Sequence, residues 1–118
     1  KKKKKRRGQG EVFYKNGREA SGIELSKWIL IAQKYNCGEL LITSIDKDGT
    51  KKGFDLELLN FISEIKIKTP IIFSGGCGSI NDIKKIYKKL QYDAIAISSI
   101  LHFNLASVQN IKKELEIY

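Results

Sequence analysis

The chain has 118 residues, enough for one domain of ordinary size and too few for two. Its formal net charge of +9 comes from 22 basic and 13 acidic residues, and the first seven residues are all basic. Subtracting those seven leaves 15 basic against 13 acidic residues, which excludes a nucleic-acid footprint across the whole surface.

The sequence also predicts the compartment. No apolar stretch reaches the roughly 18 residues of a membrane span, and the basic run leads into Gly-Gln-Gly-Glu rather than the apolar part of a signal peptide. We therefore expect a cytoplasmic protein with no membrane partner. Cys37 and Cys77 are too few for a disulfide framework and are predicted at opposite ends of successive strands, so we expect both to be reduced.

The first predicted element is a short β-hairpin. Residues 11–15 are typical of a strand, and Asn16-Gly17 is a favoured pair for a two-residue turn because both residues tolerate positive φ. Residues 18–20 are predicted to form the return strand.

Four amphipathic segments predict helices. Gly38 is predicted to end the first helix in a left-handed conformation, and Asp55 and Ser79 are predicted to cap the second and third, with Asp82 completing a capping-box pattern. The predicted ranges are 23–35, 55–66, 79–90 and 105–117. The predicted inward-facing residues are Leu25, Trp28, Ile29, Ala32 and Tyr35 in the first helix, Leu56, Leu59, Ile62 and Ile65 in the second, and Ile80, Ile83, Ile86, Tyr87 and Leu90 in the third.

Three short apolar runs, 39–45, 70–73 and 94–97, predict strands that are buried on both faces. They alternate with the helices at a spacing of about 25–30 residues, which is typical of βα units and a parallel sheet. We therefore predict an α/β fold, and the three strands indicate a piece of a larger sheet.

The loop after the first of these strands carries two carboxylates. Asp46 and Asp48 are suited to orienting a polar substrate or to acid–base chemistry, although Asp and Gly also simply build turns. A calcium loop is excluded, even though Thr50 and Glu57 fall at ligand positions, because Lys51 stands where such a loop requires glycine. We expect no metal and no cofactor.

The loop after the second strand reads Ser-Gly-Gly-Cys-Gly-Ser over residues 74–79. Glycines there allow backbone N–H groups to approach an anion at the start of a helix, and the alternative is a tight strand-to-helix turn. The loop matches neither a Walker pattern nor a dinucleotide fingerprint, since Asn81 takes the place of the third glycine. The positive potential expected here would lower the thiol pKa of Cys77, although no partner base is evident.

Polar residues also follow the third strand. Ser98 and Ser99 can supply hydroxyl and backbone N–H groups next to the glycine loop, or can simply cap a turn. His102 is the single histidine, and a structural role is favoured over a catalytic one.

Together these segments resemble the cyclase subunit of imidazole glycerol phosphate synthase, a family of histidine biosynthesis. Residues 38–55, with the wording Thr-Ser-Ile-Asp-Lys-Asp-Gly-Thr, resemble the sixth strand and loop of that family. Residues 70–78 resemble its seventh strand and glycine phosphate loop. Residues 94–103, ending in Ser-x-x-His-Phe, resemble its eighth strand. The resemblance extends from about residue 11 to residue 118.

The resemblance implies the C-terminal half of a (β/α)8 TIM barrel with an N-terminal β-hairpin. It implies that backbone N–H groups hold a substrate phosphate, that two further residues shape the loop, and that three line the substrate channel. The phosphate set is Gly49, Gly76, Ser98 and Ser99, the loop set is Ser74 and Gly75, and the channel set is Thr43, Asp46 and Asp48. The partner implied is a glutamine amidotransferase (glutaminase) subunit that supplies ammonia. The substrate implied is a phosphorylated ribonucleotide that becomes imidazole glycerol phosphate and aminoimidazole carboxamide ribotide.

The family's two catalytic aspartates lie at the ends of its first and fifth strands, which this chain does not contain. Asp46 and Asp48 do not replace them, so we expect no catalytic residue in this chain and no activity from it alone. Residues 1–10 are then a basic loop remnant and 11–118 the phosphate-binding half of the barrel. As a free chain, it would have two open sheet edges and is expected to pair or aggregate.

Three alternatives stay open at this point. The first is the sister isomerase of the same pathway, which shares the barrel and the phosphate glycines. The second is a cyclase-like paralogue that works with an amidotransferase in surface-glycan synthesis. The third is a non-enzymatic anion-binding fragment whose basic run contacts nucleic acid or an anionic membrane. Nucleic acid is disfavoured because no aromatic residues interleave with that run.

Overall fold

The computed structural model describes residues 10–15, 17–87 and 93–116. Its first sheet is an antiparallel pair, β1 (Glu11–Tyr14) and β2 (Glu19–Glu24). Tyr14 pairs with Glu19, and the Arg18 N–H donates to the Lys15 carbonyl (3.3 Å), so the register is the one expected when residues 16 and 17 form the turn. Asn16 itself lies outside the described residues. The return strand is longer than predicted, and the Ser21 hydroxyl donates to the Val12 carbonyl (2.6 Å) within the pair.

The second sheet is parallel, in the order β3 (Leu40–Thr43), β4 (Ile71–Ser74), β5 (Ala94–Ala96). Helix α1 (Leu25–Lys34) precedes it, while α2 (Leu56–Ser63) and α3 (Ile80–Tyr87) connect its strands. Two helices, α4 (Ser99–His102) and α5 (Val108–Glu114), follow. The predicted α/β fold with a parallel sheet is confirmed, and the arrangement is consistent with part of a TIM barrel.

The last helix differs from its prediction. The sequence predicts that this helix starts at residue 105. Instead, the Leu105 N–H bonds to the Ile100 carbonyl (2.9 Å) in the turn that follows the unpredicted helix α4. Helix α5 instead starts after Ser107, whose hydroxyl accepts the Asn110 N–H (3.1 Å). The predicted helix positions Leu90 and Ile117 and the basic run 1–7 lie outside the part of the chain that the structure describes.

Helix α1 ends at a left-handed asparagine rather than at the predicted glycine. Asn36 has φ 55°, a conformation that Asn tolerates better than most residues, whereas Gly38 is not left-handed. The Asn36 N–H donates to the Gln33 carbonyl (3.0 Å) and the Cys37 N–H to the Ala32 carbonyl (3.2 Å). This pair of bonds is the Schellman arrangement, which satisfies the last carbonyls of the helix.

The core lies on one face of the parallel sheet. Register places Ile42 beside Phe73 and Phe73 beside Ile95, and these residues pack with the inward-facing residues of the helices. Phe73 has no exposed surface and Ile42 is 8% exposed. The helix residues that complete this buried cluster are Ile29, Leu59, Ile62, Ile83, Ile86, Ile100 and Ile111.

The opposite face of the sheet is uncovered, so the prediction of burial on both faces is wrong. Leu41 pairs with Ile72, which pairs with Ala94, and Leu41 is 63% exposed. Within the described ranges, none of the buried core residues comes from this face. Four residues predicted to face inward from helices are also largely exposed, at 44% or more: Trp28, Tyr35, Leu56 and Tyr87.

Candidate functional site

The three residues predicted to line a substrate channel share one cleft. Thr43, Asp46 and Asp48 line a cavity of about 1060 Å³ beside β3. Successive residues of β3 all contribute to its wall, so the cleft follows the strand edge that does not pair with β4. Strand β1, Gly17 and α1 supply the facing wall, including Phe13 and Trp28. Thr43, Asp46 and Asp48 therefore face open space in this chain.

A hydrogen-bonded turn builds the loop that carries the two carboxylates. The N–H groups of Lys47 and Asp48 both bond to the Ser44 carbonyl, at 3.2 and 2.9 Å. The Asp46 and Asp48 residues are exposed, and neither takes part in an ion pair among the described residues. The turn interpretation and the ligand interpretation are thus compatible, because the backbone forms the turn while the side chains face the cleft.

Sequence reasoning missed the pair that anchors this loop. The Ser44 side chain is 4% exposed, and its hydroxyl donates to Asp55 (2.9 Å). Asp55 also accepts the Leu58 N–H (3.0 Å), which confirms it as the N-cap of α2. One signal was available, since Ser44 is two residues beyond Ile42 and therefore on the same, helix-covered face of the strand.

The glycines after β4 allow a second loop to approach closely. Gly75 and Gly76 have φ of 102° and 98°. A Cβ on Gly76 would overlap the Gly53 carbonyl, and one on Gly78 would overlap the Lys51 carbonyl. These glycines therefore hold the loop after β3 against the loop after β4, a structural role that the sequence did not indicate. A Gly76 substitution would disturb this packing as well as any anion site.

Backbone amides in the two loops divide into two groups. The Gly53 N–H bonds to the Gly76 carbonyl (2.8 Å), and the Gly78 N–H bonds to the Asp82 carboxylate (3.0 Å). By contrast, the N–H groups of a second set donate no hydrogen bond to any other residue that the structure describes. That set includes Asp46, Gly75, Cys77 and Ser79 as well as Gly49, Gly76, Ser98 and Ser99, the four residues that the family resemblance names for phosphate. Gly75, placed with Ser74 to shape the loop, stands against the Ser44 backbone.

The start of α3 confirms the predicted Ser79 cap but not the reciprocal bond of the predicted capping box. The Ser79 hydroxyl accepts the Asp82 N–H (3.2 Å), while the Asp82 carboxylate accepts from Gly78 rather than from Ser79. The buried Cys77 thiol lies beside these groups. Burial, followed by the nearby Asp82 charge, raises the pKa of Cys77 to about 11, so the expected lowering of that pKa is wrong. Cys77 and Cys37 are both free thiols.

The segment after β5 carries the remaining predicted residues. The His102 and Phe103 N–H groups bond to the Ser98 and Ser99 carbonyls, at 2.9 and 3.0 Å, so the segment is wound into one short helix. The His102 ring meets the Phe103 ring edge-on, with centroids 4.9 Å apart. Phe103 also contacts the loop after β3, because the Lys51 Nζ lies 4.1 Å from its ring centroid.

These residues form two neighbouring groups rather than one pocket. The cleft holds Thr43, Asp46 and Asp48, and none of the six residues assigned to phosphate or to its loop lines it. Among the residues that the structure covers, no cluster of three or more His, Cys, Asp or Glu side chains is placed to hold a metal. Over the same ranges, no helix combines the length and apolar character needed to cross a membrane.

Comparison with known proteins follows the same segments. A family model described as "Histidine biosynthesis protein" matches residues 2–107. The imidazole glycerol phosphate synthase subunit HisF of Lactococcus lactis subsp. cremoris strain MG1363 is 45% identical over 105 residues, which are 89% of this chain and 40% of the relative.

Two further relatives from distant organisms carry the same name. The subunit of Methanococcus vannielii is 43% identical over 106 residues, covering 90% of this chain and 39% of the relative. The subunit of Clostridium botulinum strain Langeland is 39% identical over 115 residues, covering 98% of this chain and 45% of the relative. This chain thus spans about two-fifths of the length of the curated relatives that it matches.

Proposed function

The chain belongs to the histidine biosynthesis protein family, and from that membership we propose that it is the C-terminal, phosphate-binding part of the cyclase of imidazole glycerol phosphate synthase. The relatives in three different organisms that bear this name support the proposal. They favour the cyclase over the sister isomerase and over the surface-glycan paralogue.

The uncovered face of the sheet supports the barrel architecture. In a (β/α)8 barrel, helices cover the outside of the strands, and the inward-facing side chains fill the interior. Leu41 and Ile72 would be such inward-facing residues, while Phe73 packs outward against the helices. In the proposed arrangement, the parallel sheet continues the strands of the other barrel half.

The observation that supports the phosphate assignment is that the four amides named by the resemblance donate to no other described residue, a property that further amides of these loops share. Gly49, Gly76, Ser98 and Ser99 come from three loops that follow β3, β4 and β5. Loops at the carboxyl ends of neighbouring parallel strands lie side by side, and backbone N–H groups are good ligands for phosphate oxygens. A phosphate of a ribonucleotide substrate would give these amides the acceptors they lack within the described structure.

The remaining chemistry is shared with parts that this chain does not contain. Thr43, Asp46 and Asp48 would contact the substrate between its two ends, because they lie at and just beyond the carboxyl end of β3. The general acid and base would be the aspartates of the first and fifth strands, and ammonia would come from a glutaminase partner. This chain alone would therefore bind the substrate's phosphate and would not turn the substrate over.

A chimeric enzyme tests the proposal. The matching 105-residue segment of the Lactococcus lactis relative would be replaced by the corresponding residues of this chain. We expect the chimera to form imidazole glycerol phosphate from the histidine-pathway bisphosphate with ammonium as nitrogen source. The matched control carries Lys52→Met, an exposed residue outside the proposed site, and should keep that activity.

The outcomes separate the alternatives. A folded chimera that catalyses the sugar isomerisation instead would indicate the sister isomerase. A chimera that folds, as judged by circular dichroism, but shows no turnover of either substrate would refute the cyclase proposal. Turnover of the histidine-pathway substrate would exclude a protein dedicated to surface glycans.

A further inference from the structure

A cation–π contact connects the two outer loops at the carboxyl edge of the sheet. The Lys51 Nζ lies 4.1 Å from the centre of the Phe103 ring, well inside the range of about 6 Å at which such contacts are attractive. Lys51 belongs to the loop after β3 and Phe103 to the segment after β5. Because β4 lies between these strands, the contact spans the glycine loop that follows β4.

The backbone of Lys51 is held against that glycine loop. Lys51 has φ 56°, a left-handed conformation that is unusual for a residue other than glycine. Its carbonyl stands where a Cβ on Gly78 would be, and two residues later the Gly53 N–H bonds to the Gly76 carbonyl (2.8 Å). The Lys51 side chain therefore projects from a well-fixed base.

Phe103 is attached just as directly to the two serines of the candidate phosphate site. Its N–H bonds to the Ser99 carbonyl (3.0 Å), and that of His102 bonds to the Ser98 carbonyl (2.9 Å). The ring is 54% exposed, so it is not held by burial in the core. The Lys51 ammonium contacts the face of this ring, and the His102 ring meets it edge-on.

We propose that Lys51 and Phe103 form a clamp that sets the serine segment at the right position relative to the glycine loop, so that amides from the three loops meet one phosphate. Lys51 is then a positioning residue that acts through Phe103 and not a phosphate ligand. The inference rests on the proposed phosphate site and adds two residues that the family resemblance does not assign.

Inorganic phosphate is the probe for the test, titrated into the 118-residue chain and followed by amide chemical shifts. Lys51→Met removes the charge but keeps the length of the side chain, and Phe103→Leu removes the ring but keeps the lysine charge. We expect each to weaken phosphate binding about two- to fivefold, the size of an exposed cation–π contact. The double variant should be no weaker than the weaker single variant, because both remove the same contact.

Two controls separate positioning from net charge and from general damage. Lys51→Arg keeps a cation that stacks well on an aromatic ring and should bind phosphate within twofold of the parent chain. Lys52→Met removes the neighbouring exposed charge and should also bind phosphate within twofold of the parent chain. The midpoint of urea unfolding should shift in Lys51→Met and Phe103→Leu by no more than the loss of one exposed cation–π contact, and should stay unchanged in Lys51→Arg and Lys52→Met.

The possible contrary results have distinct meanings. If the parent chain binds phosphate and Phe103→Leu binds it equally well, Lys51 does not act through the ring and the clamp is refuted alone. Additive losses in the double variant would refute it in the same way. If the parent chain does not bind phosphate at all, the proposed phosphate site fails and the clamp fails with it.

Discussion

The two faces of the parallel sheet differ sharply although the same three strands form both. One face places Ile42 and Phe73 in the core against the helices, while the other presents Leu41, at 63% exposure, to the surroundings. Both faces are apolar in sequence, so hydrophobicity alone does not distinguish them. The difference shows that the covered face supplies the stability of this chain, whereas the open face is suited to contact with further protein.

The largest expected effect separates the two faces by mutation. Phe73→Ala removes a side chain with no exposed surface and should destabilise the chain by about 3–5 kcal/mol. Leu41→Ala removes a mostly exposed side chain of the neighbouring strand and should change stability by no more than about 0.5 kcal/mol. Urea unfolding followed by Trp28 fluorescence measures both free energies.

Phe73→Leu keeps this comparison usable if the alanine variant does not fold. It leaves a smaller cavity, so its loss of stability should lie between those of Phe73→Ala and Leu41→Ala. Equal losses for Leu41→Ala and Phe73→Ala would contradict the one-sided core. Such a result would indicate that a second copy of the chain, or another partner, covers Leu41 in solution.

A smaller effect is expected where the covered face meets the loops. Gly78→Ala places a Cβ on the Lys51 carbonyl and should cost about 1–3 kcal/mol, since one of the two backbones must move. Gly38→Ala is the matched control, because nothing lies within 4 Å of its Cβ and its φ is not left-handed. The same unfolding measurement applies. A tolerated alanine at Gly78 would show that the two loops are not packed together.

The last effect is a pH dependence from the buried thiol on the covered side, and it is confined to alkaline pH. The pKa of Cys77 is raised from 9.0 to about 11, by burial and then by Asp82. Between those values the unfolded chain releases the thiol proton and the folded chain keeps it. Stability should therefore be unaffected below pH 9 and fall as the pH rises from 9 towards 11.

Cys77→Ala isolates this contribution from the titration of other groups. The difference between the parent and variant unfolding free energies should shrink over that pH range and stay constant below it. A constant difference across the whole range would show that the Cys77 thiol titrates normally and is not buried in solution.

Much of the fold could be predicted from local sequence. Helix periodicity, the Asp55 cap and the three apolar runs are short-range signals, and each produced the predicted element in the predicted order. The Ser79 hydroxyl also accepts the Asp82 N–H as predicted. These features depend on residues within one turn or one strand, which is why a single sequence specifies them.

Other features depend on what lies nearby in space. The exposure of Leu41 depends on whether another layer covers its face, which its apolar character does not indicate. The reasons for Gly76 and Gly78 lie in the approach of Gly53 and Lys51, more than twenty residues away. The pKa of the Cys77 thiol is raised, not lowered as predicted, because burial outweighs the positive potential expected in the loop.

The candidate site was predictable to a similar extent. Its phosphate residues came from the family resemblance, and the structure adds that their amides have no acceptor among the described residues. Spacing indicates the buried side for Ser44 but not its partner Asp55, and it gives no sign of the Lys51–Phe103 contact, because each pair connects separate elements of the chain.

The hydrogen bond from Gly53 to Gly76 has a consequence for how this region can evolve. It holds a residue of one loop opposite a residue of the other. Surface loops usually tolerate insertions, but a residue added between Lys51 and Gly53 would move the amide away from its acceptor. The lengths of the two loops are therefore tied, and a change in one requires a compensating change in the other.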